Sequence, residues 1–183
     1  MNPAADPPSA PTISNAERIR RAVIHEVGPR DGFQSVAAVI PTETKLAIID
    51  GLVDAGLESI ELTAFVSPKA VPQMADAAEV TREALRRHGE RRFRVLVPNL
   101  RGMENARAEG MRRMNFVISI SDSHSRNNVG MSRDEAWKQF ERALEAERDV
   151  DLRINFATVF SCAFEGETPV QTVVAQIARA REL

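Results

Sequence analysis

The chain alternates short apolar runs, rich in β-branched residues, with longer segments in which apolar residues recur every three or four positions. The short runs are typical of strands and the longer segments of amphipathic helices. A helical segment follows each run, so the sequence repeats a β–α unit of roughly 30 residues. The predicted strands are residues 22–27, 57–65, 93–97, 115–121 and 152–161.

Capping signals mark where several of the helices begin. Thr42 is predicted to cap the first helix, and Ser132 with Glu135 three residues later forms a capping box before a later one. Thr168 is predicted to cap the last helix, with Pro169 at the first helical position. These signals divide the chain into units without deciding how the units are arranged.

Alternating strands and helices predict a parallel sheet with helices packed on it. Two architectures fit, an open doubly wound sheet and a (β/α)8 barrel. Polar residues share one face of two predicted strands, namely Ser59, Glu61 and Thr63 on the second and Asn115, Ser119 and Ser121 on the fourth. Central strands of an open sheet are apolar on both faces, whereas polar positions near strand ends suit the mouth of a barrel. We therefore favour a (β/α)8 TIM barrel, of which this α/β chain would supply the first five units.

The composition excludes several classes of function. The formal net charge of −2 creates no strong field that would attract nucleic acid or a membrane surface. The single cysteine, Cys162, rules out an internal disulfide and suits a reducing compartment. No apolar stretch approaches the roughly 20 residues of a membrane span. A dinucleotide-binding glycine motif, a phosphate-binding P-loop and a CxxC pair are all missing from the sequence.

The first residues differ in composition from the rest of the chain. Four prolines fall within residues 1–11, and residues 1–14 carry neither the basic residues nor the apolar core of a secretory signal. Residues 1–20 are therefore predicted to be a disordered arm, and residues 21–183 to form the folded domain. Together with the single cysteine, the missing signal predicts a cytoplasmic location.

Polar residues collect where the predicted strands end, which is where function gathers in both architectures. Arg30, Asp31 and Gln34 follow the first strand, and Glu61 lies on the second. An aspartate and a glutamate from adjacent strands could bind a divalent cation, with Arg30 facing a developing oxyanion. The simpler alternative is an ion pair of Arg30 with Asp31 or Glu61 that closes the turn.

The histidines and the cysteine are individually weak signals. His124 lies in a predicted loop, residues 121–132, where it could be an acid, a base or a ligand, or could cap a backbone group. His25 is predicted to lie in the middle of the first strand and to fill a layer either inside the barrel or facing the helices. His88 is predicted to lie at a solvent-exposed helix end. Cys162 is predicted to be a buried thiol without a chemical role.

Four segments together resemble hydroxymethylglutaryl-CoA lyase and its relatives in the metal-dependent lyase and acyltransferase barrel superfamily. They are EVGPRDGFQ, IELTAFVSPKAVPQMAD, LVPNLRGMENA and the SC…EG pair of FSCAFEGE, in this order. The resemblance covers about residue 23 to the end. It implies a (β/α)8 barrel that uses Mg²⁺ or Mn²⁺ to cleave a 3-hydroxyacyl-CoA substrate into acetyl-CoA and a keto acid, in leucine degradation.

The resemblance also implies roles for individual residues. Asp31 corresponds to a metal ligand, and Arg30 to the residue that polarises the carbonyl and stabilises the enolate. Glu61 corresponds to the active-site carboxylate that supports Arg30 and the metal region. Gln34 lies in the same motif as Arg30 and Asp31 and is expected near the substrate. Apart from the resemblance, His124 and Asn128, which follow the fourth strand, are also predicted to bind substrate.

Later parts of the family's active site have no counterpart in this sequence. The family takes a histidine pair, HxH, from a later strand, and the chain contains no such pair. We therefore expect an N-terminal portion of a longer enzyme or a truncated product, inactive in isolation. The alternatives are a condensing acyltransferase resembling isopropylmalate or citramalate synthase, and a non-catalytic remnant that pairs its open edges with another chain. A homo-oligomer is compatible with all of them.

Overall fold

The computed structural model describes residues 23–146 and 149–183. The predicted arm, residues 1–20, lies outside the described residues, as does the start of the first predicted strand at residue 22. Within the described part of the chain, no helix is long and apolar enough to cross a membrane.

Five strands form one parallel sheet, and they are His25–Glu26 (β1), Ser59–Ala64 (β2), Phe93–Val97 (β3), Arg113–Ser119 (β4) and Asp151–Ala157 (β5). Two short strands, Ser161–Cys162 (β6) and Gly166–Glu167 (β7), form a separate antiparallel hairpin. The helices are Thr42–Asp54 (α1), Ala77–His88 (α2), Leu100–Ala108 (α3), Asp122–Val129 (α4), Arg133–Ala146 (α5) and Val170–Glu182 (α6). A short 3₁₀ turn, Pro72–Met74, precedes α2.

The order of the strands in the sheet decides between the two predicted architectures. Each strand pairs in parallel with the next one along the chain, from β1 to β5. A doubly wound sheet reverses its strand order at a switch point, and no reversal occurs here. The sheet curls into part of a (β/α)8 barrel with helices on its outside, so the predicted barrel is confirmed.

The two faces of the sheet differ in polarity. Outward-facing residues such as Ile60, Val95 and Phe116 are buried in one apolar cluster with the helices. Many inward-facing positions are polar, and they include Glu61 and Asn115. This division explains why polar residues alternate with apolar ones along β2 and β4, as the sequence predicted.

The helix starts confirm one predicted cap and correct two. The Ser132 amide and hydroxyl both donate to Glu135 Oε2 at 2.7 Å, so the capping box before α5 is confirmed. The predicted caps Thr42 and Thr168 are wrong, because neither side chain caps its helix. Thr42 Oγ1 instead donates to Asp76 Oδ2 at 2.9 Å, and Thr168 Oγ1 donates to a backbone carbonyl at 2.7 Å.

The stretch predicted as a loop after the fourth strand contains helix α4. Strand β4 also ends at Ser119, two residues earlier than predicted. The Ser121 hydroxyl accepts from the His124 amide at 3.0 Å, and Gly130 ends the helix in the left-handed conformation. Both cap signals are present in the sequence, but the polar composition between them concealed the helix.

Two single-residue predictions have opposite outcomes. Cys162 is buried and free, as predicted. The prediction of a solvent-exposed His88 is wrong, because 19% of its side chain is exposed and its Nε2 lies 2.6 Å from Asp50 Oδ1. Asp50 lies on α1, so His88 helps to join neighbouring helices, which the linear sequence does not indicate.

A close backbone approach at Gly102 fixes the start of α3 against the loop after β2. A Cβ atom at this position would lie 2.7 Å from the Phe65 carbonyl oxygen and 2.9 Å from Pro98 Cδ. We expect Gly102→Ala to lower the free energy of unfolding by about 1–3 kcal/mol through overpacking. Urea denaturation measures the change.

The matched control is Gly51→Ala, in the middle of α1, where an added Cβ meets no atom within 4 Å. Alanine there should raise the free energy of unfolding by about 0.5–1 kcal/mol, because glycine is entropically unfavourable in a helix. Equal effects of both substitutions would contradict the steric explanation.

Candidate active site

The loop after β1 forms a wide π-helical turn, Gly28–Gly32. The backbone amides of Arg30 and Asp31 both donate to the Val27 carbonyl, at 3.0 and 2.7 Å. Turns of this kind occur often at functional sites, because they redirect side chains. Here the turn brings the Arg30 guanidinium to the inner face of β2.

A continuous chain of hydrogen bonds connects the loop to the barrel interior. Arg30 Nε donates to Glu61 Oε2 at 2.7 Å, and Arg30 Nη1 donates to Asp31 Oδ1 at 2.8 Å. The other oxygen of the same carboxylate, Glu61 Oε1, accepts from Asn115 Nδ2 at 2.6 Å. The guanidinium therefore spans two carboxylates from two elements, in a fixed orientation.

The side chains of Glu61, Arg30 and Asp31 are buried to different extents, which indicates that they have different roles. The Glu61 side chain is 1% exposed, that of Arg30 is 18% exposed and that of Asp31 is 62% exposed. A buried carboxylate is stabilised only when its oxygens are paired, and both oxygens of Glu61 are. Glu61 is therefore an internal anchor, whereas Asp31 presents a carboxylate to solvent.

A cavity of about 660 Å³ opens at the carboxyl ends of the strands, beside Arg30. Its wall combines apolar side chains with a few amides and hydroxyls, the usual character of a small-molecule site. It is lined by Arg30, Gln34, Val66, Ser67, Ala70, Val71, Leu96, Pro98, Asn99, Val117, Asn128, Val129, Gly130, Asn155, Phe156 and Ala157. The site thus lies at the end of the barrel that the sequence predicted.

The structure brings together most, but not all, of the predicted site residues. Arg30, Asp31 and Glu61 form one network, and Gln34 and Asn128 line the cavity. His124 is not among the lining residues, and its Nδ1 lies 2.8 Å from Ser119 Oγ on the inner face of β4. The substrate-binding roles of Gln34, His124 and Asn128 stay predictions.

Two asparagines of the site were not predicted as functional residues. Asn115 holds Glu61, and Asn155 on β5 lines the cavity. The one feature of the sequence that could have identified Asn115 as a site residue is its position on the polar face of a predicted strand. The register that brings Asn115 to a carboxylate on β2, with β3 between them, comes from the folded sheet alone.

The residues present supply part of a metal-binding site. Within residues 23–146 and 149–183, no three His, Cys, Asp or Glu side chains come together as a metal-binding group. Asp31 carries the exposed carboxylate that is bonded to Arg30, and carboxylate oxygens suit Mg²⁺. Both carboxylate oxygens of Glu61 already accept hydrogen bonds, one from Arg30 and one from Asn115. The described residues therefore fit one ligand of a divalent cation and not a complete set.

His25 lies on the inner face of β1, where its Nδ1 is 2.7 Å from Ser59 Oγ and its Nε2 is buried without a partner among the described residues. Burial lowers the pKa of His25, and nearby guanidinium groups, those of Arg153 and Arg94 first among them, lower it further, although Glu61 opposes the shift. The protonated form is therefore disfavoured in the folded protein.

This lowered pKa predicts a pH dependence of stability. Below about pH 6.5 the unfolded chain binds a proton at His25 that the folded chain does not, so acidification favours unfolding. The stability from this group is fully present above the unfolded pKa and is lost as the pH falls below it. We expect His25→Asn to reduce the difference in free energy of unfolding between pH 7.5 and 5.5, measured in urea. If His25→Asn and the unsubstituted protein lose the same free energy of unfolding between pH 7.5 and 5.5, the pKa of His25 does not cause the pH dependence.

Comparison with known sequences identifies relatives along nearly the whole chain. The sequence profile of the HMGL-like family matches residues 21–183. The mitochondrial hydroxymethylglutaryl-CoA lyase of Rattus norvegicus is 36% identical over 174 residues, which cover 93% of this chain and 53% of that protein. The cytoplasmic 3-hydroxy-3-methylglutaryl-CoA lyase of Mus musculus is 38% identical over 152 residues, covering 82% and 44%. The chain spans about half the length of the curated relatives it matches.

Among solved structures, an HMG-CoA lyase from Acinetobacter baumannii superposes with a TM-score of 0.83 at 32% identity. The superposition covers 87% of this chain and 52% of that protein, whose structure contains coenzyme A and 3-methylmalate. The matched segment is the N-terminal half of the relatives. The curled five-stranded sheet is therefore the first part of a barrel of this kind.

Proposed function

Since the chain belongs to the HMGL-like family, we propose that it supplies the Arg30–Glu61 part of an active site that cleaves a carbon–carbon bond in a 3-hydroxyacyl-CoA. The observation that carries this proposal is the guanidinium of Arg30, held at 2.7 Å by a buried carboxylate at the edge of the cavity. The products would be acetyl-CoA and a keto acid. Residues 21–183 act, in this proposal, as the N-terminal portion of a lyase barrel.

The chemistry requires a stabilised enolate and a proton acceptor. When the hydroxyl of the substrate loses its proton to a base, its carbon–oxygen bond becomes a carbonyl, the carbon–carbon bond breaks and the electron pair moves onto the departing thioester as an enolate. The enolate then takes up a proton at carbon and becomes acetyl-CoA. A preorganised cation near the thioester oxygen lowers this barrier. Arg30 fills that role, because Glu61 and Asp31 fix its orientation before substrate binds.

Asp31 is the residue through which a divalent cation, Mg²⁺ or Mn²⁺, would be held by this chain. Such a cation acts as a Lewis acid on carbonyl and hydroxyl oxygens of the substrate. The remaining ligands would come from the other half of the barrel, since no three His, Cys, Asp or Glu side chains of the described residues come together as a metal-binding group. We infer from this that the 183-residue chain binds Mg²⁺ weakly and is inactive alone.

A single-chain chimera tests the proposed function. Residues 23–183 are joined to the part of the Acinetobacter baumannii lyase that follows the matched segment, and cleavage of 3-hydroxy-3-methylglutaryl-CoA is measured with Mg²⁺ present. We expect cleavage that is lost in Arg30→Gln. A folded chimera without cleavage would contradict the proposal, and condensation of acetyl-CoA with a keto acid would identify an acyltransferase instead.

The isolated chain provides the complementary measurement. Purified without the other half, it is expected to cleave no acyl-CoA, because the metal site is incomplete. Robust turnover by the 183-residue chain would show that the site needs no further residues.

We also infer a cytoplasmic location, supported by the cytoplasmic relative from Mus musculus. The rat relative is mitochondrial, so fractionation of cells that express the chain must separate the two compartments. Recovery of the chain with mitochondria would overturn this inference.

A further inference from the structure

A lysine that the proposed chemistry does not use lies buried between α1 and the loop after β2. Lys45 is on α1, and only 3% of its side chain is exposed. Lysine is almost never fully buried unless its ammonium group is paired. Lys45 Nζ donates to the Gln73 carbonyl at 2.5 Å and to Asp76 Oδ1 at 2.6 Å. The buried ammonium group therefore joins α1 to the end of this loop.

The loop after β2, residues 65–76, forms part of the wall of the cavity, and we call it the β2 loop. At its start, the Phe65 amide donates to the Leu96 carbonyl on β3 at 2.9 Å. At its end, Asp76 accepts from Lys45 and, at 2.9 Å, from Thr42 Oγ1. The residues of the β2 loop that line the cavity are Val66, Ser67, Ala70 and Val71. These residues lie between the two points at which the loop is attached.

The end of the β2 loop also contacts the loop after β1. Gln73 Nε2 donates to the Val36 carbonyl at 3.0 Å, and Gln34, two residues before Val36, lines the cavity. Gln73 thus bonds to Lys45 through its backbone and to the first loop through its side chain. The Lys45 ammonium group therefore helps to fix the positions of both loops relative to each other.

Apolar packing also joins the two loops, but it does not fix their positions in the same way. Phe33 and Met74 are buried in a small apolar cluster, against which Val66 and Val71 pack. Apolar contacts are non-directional, whereas the two hydrogen bonds of Lys45 constrain both distance and angle. Replacing a buried ion pair by apolar residues of similar volume is often neutral for stability. We therefore expect the main contribution of Lys45 to be the geometry of the β2 loop.

The support of the β2 loop is separate from the support of Arg30. Arg30 bonds to Glu61 and Asp31, whereas Lys45 bonds to Gln73 and Asp76. Loss of Lys45 should therefore disturb the cavity wall and leave the guanidinium of Arg30 in place.

We propose that Lys45 is a positioning residue for substrate binding, which holds the β2 loop where its lining residues contact the substrate. Lys45 is not among the residues that line the cavity, so it acts through Gln73 and Asp76. This inference rests on the proposed function, since it takes the cavity beside Arg30 as the substrate site.

Steady-state kinetics of the single-chain chimera, with 3-hydroxy-3-methylglutaryl-CoA as substrate, tests this role. We expect Lys45→Met to raise KM about tenfold or more and to change kcat by less than about twofold, because binding common to substrate and transition state is lost. Lys138→Met removes the same charge at an exposed position on α5 and is the matched control, which should change neither constant. An unchanged KM in Lys45→Met, or an equal rise in Lys138→Met, would overturn the proposal.

A double variant separates positioning from stability. Lys45→Met with Asp76→Asn removes the carboxylate that the single substitution leaves without its cation, so the midpoint of urea denaturation should recover most of its loss. KM should stay raised, because the end of the β2 loop still lacks its bonds to Lys45. If KM recovers together with the midpoint, Lys45 acts through stability alone and the proposal fails.

Hydrogen exchange of the full 183-residue chain tests the same role without activity. In Lys45→Met, the amides of residues 66–76 should exchange about tenfold faster or more relative to those of β3, because the loop opens locally. Ile49→Val, which truncates a fully buried side chain one turn further along α1, is the control for lost stability and should leave this ratio unchanged. An equal change of the ratio in both variants, or none in Lys45→Met, contradicts the proposal. If the unsubstituted chimera cleaves no substrate, the proposed function fails and hydrogen exchange alone decides whether Lys45 holds the loop.

Discussion

Replacing Arg30 with Met is expected to lower the free energy of unfolding by about 3 kcal/mol. The Glu61 side chain is 1% exposed, and Arg30 is the only described cation bonded to it. Methionine fills similar space but leaves a carboxylate buried with a single hydrogen bond, from Asn115. The cost arises from the uncompensated charge, since the packing volume changes little.

A double substitution separates this charge effect from a packing effect. Glu61→Gln keeps the shape of the side chain and removes its charge, so Arg30→Met with Glu61→Gln should recover most of the lost stability. Arg86→Met is the surface control, because Arg86 pairs with Glu83 on an exposed helix face and such pairs contribute about 0–1 kcal/mol. If the double variant is no more stable than Arg30→Met in urea denaturation, the charge explanation fails.

The second large effect concerns activity in the chimera described above. We expect Arg30→Lys to lower kcat by about 10²–10³-fold, the usual effect of removing one preorganised donor at a developing oxyanion. Lysine keeps the positive charge beside Glu61, so stability should change far less than in Arg30→Met. A single ammonium group cannot donate in fixed directions to Glu61 and Asp31 at once, as the guanidinium does.

Steady-state kinetics with 3-hydroxy-3-methylglutaryl-CoA checks this expectation. A loss confined to kcat indicates that Arg30 acts in the transition state, whereas a loss confined to KM indicates uniform binding of substrate. Lys138→Glu, which lies on an exposed helix face and is not among the cavity-lining residues, provides the control and should leave both constants unchanged. Unchanged kcat in Arg30→Lys would remove Arg30 from the proposed chemistry.

Individual residues show how far the sequence alone could identify the site. Arg30, Asp31 and Glu61 were found because they lie on local features, a glycine-rich turn and the polar face of a strand. Asn115 was visible as a polar strand residue, but its bond to Glu61 depends on the register of two intervening strand pairings. His124 was assigned to a loop, although it lies in the first turn of α4.

The amino-acid sequence by itself determined the β–α repeat, the capping box at Ser132 and the polar faces of β2 and β4. Each of these follows from spacing between residues close together in the chain, where helices and strands have fixed periods. Only the tertiary structure decided that the described strands follow one another without a reversal and that Glu61 is held by Arg30 and Asn115. These features depend on contacts between distant segments, and periodicity along the chain carries no information about them.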